Sequence, residues 1–121
     1  MDMTTAMRQV ATVTIVDIGG RIVLGKESAA LRKLVFELLS EGHKRILFDL
    51  GGVSDIDSSG LGLLVSTYTS VRSQGGELKL LNLTKSVRDL MQITRLYTVF
   101  DILDDEAVAV RSFGQSSVAT A

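Results

Sequence analysis

The stretch from Ile46 to Leu64, I-L-F-D-L-G-G-V-S-D-I-D-S-S-G-L-G-L-L, constrains the fold of this chain more than any other. Five residues of strand character, Ile46, Leu47, Phe48, Asp49 and Leu50, lead to a Gly51-Gly52 break, and Asp57-Ser58-Ser59-Gly60 then opens a segment with helical spacing. The run reads as strand, loop and helix start. Ser58 falls in the first helical turn, where backbone N–H groups lack intrahelical partners and the macrodipole is positive, so a hydroxyl or a phosphate is stabilised there. These surroundings make Ser58 a candidate switch.

The flanking sequence repeats the alternation. From Met3 to Ile18, Thr, Val and Ile dominate and alternate imperfectly with polar residues, which predicts a hairpin turning near Val10-Ala11. Gly19-Gly20 is read as the end of the second strand, with a connection over 21–25. Over 26–41, Leu31, Leu34, Val35 and Leu38 recur at i, i+3, i+4 and i+7, the apolar stripe of a helix that Gly42 can cap. A strand over 44–50 follows, then a second helix from Ser58 to about Gln74. Its Leu61, Leu64, Val65, Tyr68 and Val71 share the face expected to meet the sheet. The reverse face carries Ser59, Gly62, Ser66, Ser70 and Ser73, a smooth surface from which Leu63 is expected to project as an apolar knob suited to docking another protein.

Gly75-Gly76 stops that helix, and 77–81 predicts another strand. Asn82 and Thr84 are natural N-caps for a third helix over about 85–94, with Val87, Leu90 and Met91 buried. Residues 97–102 read as a last strand, and Asp104 and Asp105 begin a final helix that ends before Gly114. The expected fold class is α/β: a mixed, mostly parallel sheet of about five strands with helices, opened by an N-terminal antiparallel hairpin. A single domain over 1–113 with a frayed tail over 114–121 accounts for the whole length.

Composition removes several function classes. Thirteen basic and fourteen acidic residues nearly cancel, so any partner must be recognised locally and not by net charge. With no cysteine there are no disulfides or thiolate metal sites, which suits a reducing compartment. No signal peptide or run of about 18 apolar residues is visible, and the expected location is the cytoplasm. Arg72, Lys79, Lys85, Arg88 and Arg95 are dispersed and lack interleaved aromatic residues, which argues against nucleic-acid binding.

Serine catalysis would need a positioned base, yet the one histidine, His43, lies in a polar connection, and G-x-S-x-G is missing. Asp49, Asp55 and Asp57 resemble part of a receiver-type magnesium site, but the early strand offers only Asp17 where an acidic pair would be required. Asp49 instead calls for the loop amides as partners. Asp101, Asp104, Asp105 and Glu106 lack calcium-loop spacing and are better read as helix caps. No phosphate-binding loop G-x-x-x-x-G-K-[ST] occurs.

Residues 50–64, above all Asp57-Ser58-Ser59-Gly60-Leu61-Gly62, resemble the signature loop of the STAS domain, the fold of bacterial anti-sigma-factor antagonists. The likeness continues through Gly75-Gly76-Glu77-Leu78, Asn82-Leu83, Val87-Arg88-Asp89-Leu90 and Val99-Phe100. The resemblance implies a non-enzyme without a cofactor that binds an anti-sigma factor serine kinase and frees a sigma factor. It places the phosphorylated serine on Ser58, with Ser59 as the competing acceptor. It also suggests a docking surface of Ser54, Asp55, Ile56, Asp57, Ser58, Ser59, Gly60, Gly62, Leu63 and Ser66, with Gly60 and Gly62 leaving room for a partner's approach. A homodimer is left open, and no membrane insertion is expected. Many members carry an acid where this chain has Val23. The alternative is therefore a STAS scaffold or adaptor in a stress-signalling or lipid-transport complex.

Overall fold

Strand alternation sorts side chains into two layers in the computed structural model, which describes residues 3–23 and 25–114. The chain runs β1 (Thr4–Val10), β2 (Val13–Ile22), α1 (Lys26–Ser40), β3 (Arg45–Ile56), α2 (Ser58–Ser73), β4 (Glu77–Leu81), α3 (Lys85–Thr94), β5 (Ile102–Leu103) and α4 (Glu106–Ser112). The sheet order is β1-β2-β3-β4-β5, with β1 and β2 antiparallel and every later neighbour parallel, as expected for the α/β class. Val16, Ile18, Ile46, Phe48, Leu50, Leu78 and Leu80 point to one face and form the main core with α1, α2 and α3. Their neighbours Val13, Ile15, Leu47 and Leu81 point the other way, against Ala109 and Phe113 at α4.

Two glycine pairs do not end strands as the sequence suggests. β2 continues through Gly19-Gly20 to Ile22, and β3 continues through Gly51-Gly52 to Ile56. The two runs face each other: Gly19 pairs with Gly52, and a Cβ at Gly52 would lie 3.2 Å from the Gly19 Cα. The missing side chains let the backbones close up where the register shifts.

Helix ends follow local rules. Gly42 at φ 89 closes α1, with His43 N–H donating to Leu38 O and Gly42 N–H to Leu39 O, the paired bonds of a Schellman motif. Thr84 occupies the N-cap of α3 by backbone shape only, its Oγ1 buried without a hydrogen bond among the described residues. The strand expected over 97–102 is confined to Ile102–Leu103. Arg95 turns left-handed at φ 62, and the 3-10 turn Leu96–Thr98 delivers Phe100 into the core, edge-on to Tyr68 at 5.1 Å. Asp105 caps α4 by accepting from Val108 N–H at 3.0 Å. The tail beyond Gly114 lies outside the described residues.

On the α4 face, Arg8 of β1 reaches both Asp17 oxygens (2.8 and 3.2 Å) and both Glu106 oxygens (2.9 and 2.7 Å), with Asp49 at 3.7 Å. Hydrogen bonding from Arg8 holds the Glu106 carboxyl below the usual carboxylate range. Asp49 also accepts from Gly51 N–H at 3.0 Å, so the amide partner expected for it is present. This network ties the last helix to the first strand.

Candidate functional site

β2 and β3 outrun β4, and their far ends pair as Arg21 with Asp55 and Ile22 with Ile56. The chain leaves this platform through one residue, Asp57, and enters α2 at Ser58. Ser54, Asp55 and Ile56 therefore belong to a strand end and not to the loop expected for them. The physical reason is the glycine pairing described above, which lets β3 continue.

Asp57 is the N-cap: its Oδ1 accepts from Gly60 N–H at 2.8 Å, and its carbonyl accepts from Leu61 N–H at 2.9 Å. That leaves the Ser58 and Ser59 amides as the open donors of the first turn, beside the positive end of a helix of four and a half turns. Ser58 and Ser59 are both exposed. Asp55 is exposed too, with Arg21 Nε at 3.8 Å from its Oδ2, so the mouth is less acidic than Asp55 and Asp57 alone suggest. Sequence spacing missed Arg21. The β2–β3 register brings it there, and the paired glycines were the available clue to that register.

Gly60 differs from the sequence expectation. It is buried, and a Cβ on it would overlap the Ile22 carbonyl oxygen and lie 2.8 Å from its carbon. The residue lets the first turn of α2 seat on the end of β2; it leaves no room for a visitor. Gly62 does: it is exposed, and nothing lies within 4 Å of an added Cβ.

Leu63 is a correction as well. It is 3 % exposed and part of the main core, not a knob. α2 packs against α1 as well as the sheet, so its buried arc spans Leu61, Leu63, Leu64, Thr67 and Val71. Thr67 is buried within that arc because its Oγ1 donates to Leu63 O at 2.7 Å. Ile56, 7 % exposed, also faces inward. The exposed members of the expected surface are Ser54, Asp55, Asp57, Ser58, Ser59, Gly62 and Ser66. Ser70 and Ser73 extend the small-residue face as expected.

The rejected centres sit elsewhere. His43 is half-buried beside Glu41 at 3.9 Å, and Asp49 is engaged by Arg8 and Gly51. No helix among the described residues is long and apolar enough to cross a membrane.

A STAS domain model matches residues 4–109. The anti-sigma-B factor antagonist of Bacillus subtilis is 39% identical over 87 residues, which is 72% of this chain and 78% of that protein. Among solved structures, an anti-sigma factor antagonist from Mycobacterium paratuberculosis superposes with a TM-score of 0.79 at 19% identity, over 92% of this chain and 93% of that one. The Bacillus cell fate determinant SpoIIAA in its phosphorylated form gives 0.69 at 20% identity, over 89% and 97%. At these identities the two structures speak for the fold alone.

Proposed function

The chain belongs to the STAS domain family, and on that premise we propose that it is an anti-sigma factor antagonist whose docking is gated by phosphorylation of Ser58. It acts by binding and catalyses nothing itself. The partner is an anti-sigma factor that is also a serine kinase, and the ATP belongs to that kinase. The observation that carries this reading is the first turn of α2, where an exposed Ser58 sits beside two amides that the Asp57 cap leaves open.

The physics of the switch follows from that turn. A phosphate adds about 1.5 to 2 negative charges and three strong acceptors. The open amides and the helix dipole accommodate it within the fold. A partner surface closed over a neutral hydroxyl would have to desolvate that charge, a cost of several kcal/mol. Phosphorylation thus releases the partner without unfolding the domain. The docking face consists of the exposed residues at and beyond the mouth, Ser54, Asp55, Asp57, Ser58, Ser59, Gly62 and Ser66, joined by Arg21. Ile56, Gly60 and Leu63 hold it in shape from beneath. SpoIIAA, which shares this fold, has a phosphorylated form.

The test starts with a pulldown from the native cell to obtain the anti-sigma partner. Ser58→Asp is expected to lose binding at least about a hundredfold while its circular dichroism spectrum stays native. Ser58→Ala is expected to bind and to take no acid-stable label from the kinase. Retained binding by the Asp variant would overturn the gate, and labelling of the Ala variant would move the modification to Ser59.

A further inference from the structure

The two edges of the sheet are built differently. β5 is two residues long, with Asp101 just before it and Asp104 and Asp105 just after it, the short and charged edge by which sheets avoid pairing with one another. β1 is seven residues long and reads T-T-A-M-R-Q-V. It has no proline, no lysine and no acid. Its single charge, Arg8, is spent on Asp17 and Glu106 of its own chain. Nothing among the described residues covers its outer side, since β2 is the one strand it pairs with.

The register shows which backbone groups are on offer. Val10 pairs with Val13 across the two-residue turn Ala11-Thr12, with Ala11 at φ 54 as in primed hairpin turns. The closing pair of such a turn is hydrogen-bonded, and bonded and non-bonded pairs then alternate. Val10, Arg8, Ala6 and Thr4 therefore spend their N–H and C=O groups on β2. Thr5, Met7 and Gln9 aim theirs outward. On the sheet face these three residues share with buried Met3, Met7 is 51 % exposed, an apolar side chain at the middle of an open edge.

We propose that β1 is a self-pairing edge: two copies of this chain join β1 to β1 antiparallel about a two-fold axis through Met7. The arrangement is self-complementary. Met7 faces Met7 of the second copy, and Thr5 faces Gln9 of the second copy on either side, so about six main-chain hydrogen bonds form from groups that are otherwise open. Arg8 falls opposite Ala6 of the second copy and diagonal to its Arg8, and each Arg8 charge is already neutralised by Asp17 and Glu106 of its own chain. Two five-stranded sheets become one continuous sheet. A single pair of short strands buries little area, so the dimer is weak and dissociates on dilution. The edge shares no residue with the docking face on α2.

The test is sedimentation velocity on the whole chain from about 10 µM to about 1 mM, with three variants at one position. The wild type is expected to shift from monomer toward dimer across this range. Met7→Pro removes an N–H that the fold does not use, as edge strands tolerate. It is expected to weaken the dimer at least about tenfold with an unchanged circular dichroism spectrum. Met7→Lys and Met7→Glu place like charges on the axis; each alone is expected to be monomeric, and an equimolar mixture is expected to associate. A wild type that stays monomeric throughout overturns the proposal. So does a dimer that survives in Met7→Lys, or a mixture that fails to associate while each variant is folded. Should the edge instead take an extended strand of a different protein, the wild type would be monomeric alone, and the self-pairing edge would be wrong.

Discussion

The two ends of α2 are anchored by the same device and left in opposite states. At the start, Gly60 is pressed on the Ile22 carbonyl; at the finish, a Cβ on Gly76 would lie 2.7 Å from the Lys44 carbonyl oxygen. Each glycine seats a helix end directly on the backbone at one end of a strand, Ile22 closing β2 and Lys44 leading into β3. At the finish the chain closes on itself: Gly75 N–H donates to Arg72 O, Gly76 N–H to Val71 O, and Lys44 Nζ to Gln74 O. At the start Asp57 satisfies one amide with its side chain, and the Ser58 and Ser59 amides stay open. An end that satisfies itself is architecture. An end held equally firmly with unused donors can receive something, and this contrast supports the proposed switch at Ser58 over one along the serine-rich outer face.

The comparison breaks first at Gly60. Gly60→Ala forces a methyl group into a backbone carbonyl that no rotamer change can move aside, and it is expected to cost about 3 kcal/mol. Urea unfolding checks this as a lowered midpoint at constant slope. Near-wild-type stability would mean that α2 is not seated on β2 as described. Binding should be lost in this variant together with stability, unlike Ser58→Asp, which leaves the fold intact.

A smaller effect separates cap from switch. Asp57→Ala removes the acceptor from Gly60 N–H and is expected to cost about 1 kcal/mol. It also frees a third amide at the mouth. On the proposed function the variant should still be phosphorylated on Ser58, as mass spectrometry would show, because the acceptor would be the hydroxyl and not the cap. Unchanged stability would show that the Asp57–Gly60 bond does not hold the first turn.

Most of the scaffold was legible because it is written locally. Apolar spacing marked α1, α2 and α3, and Gly42 and Gly75 marked two helix ends at positive φ. Asp105 marked the start of α4. What was missed depended on contacts between distant segments. Gly51-Gly52 looked like a break because glycine usually punctuates, and only its alignment with Gly19 turns it into a close strand crossing. Leu63 looked exposed because one apolar face was assigned where the helix has two neighbours. Leucines at 61, 63 and 64 span a wider arc than one face can bury, which was the available signal. The Arg8 clamp joins residues nearly a hundred positions apart, and no local spacing announces it.

The smallest expected effect is the most discriminating for the docking face. Gly62 lies inside α2, exposed, at a helical position where alanine would be accepted without contact. Glycine there costs about 1 kcal/mol of helix propensity that the fold of this chain gives no reason to forgo. Gly62→Ala is therefore expected to raise stability by about 0.5 to 1 kcal/mol. If a partner lies flat against the small residues of α2, the added methyl group holds it off, and the same variant binds more weakly while unfolding later. Stability and binding would then move in opposite directions at one site. If affinity for the anti-sigma partner is unchanged, the outer side of α2 is not a close contact. Docking would then be confined to the mouth formed by Arg21, Asp55, Asp57 and Ser58.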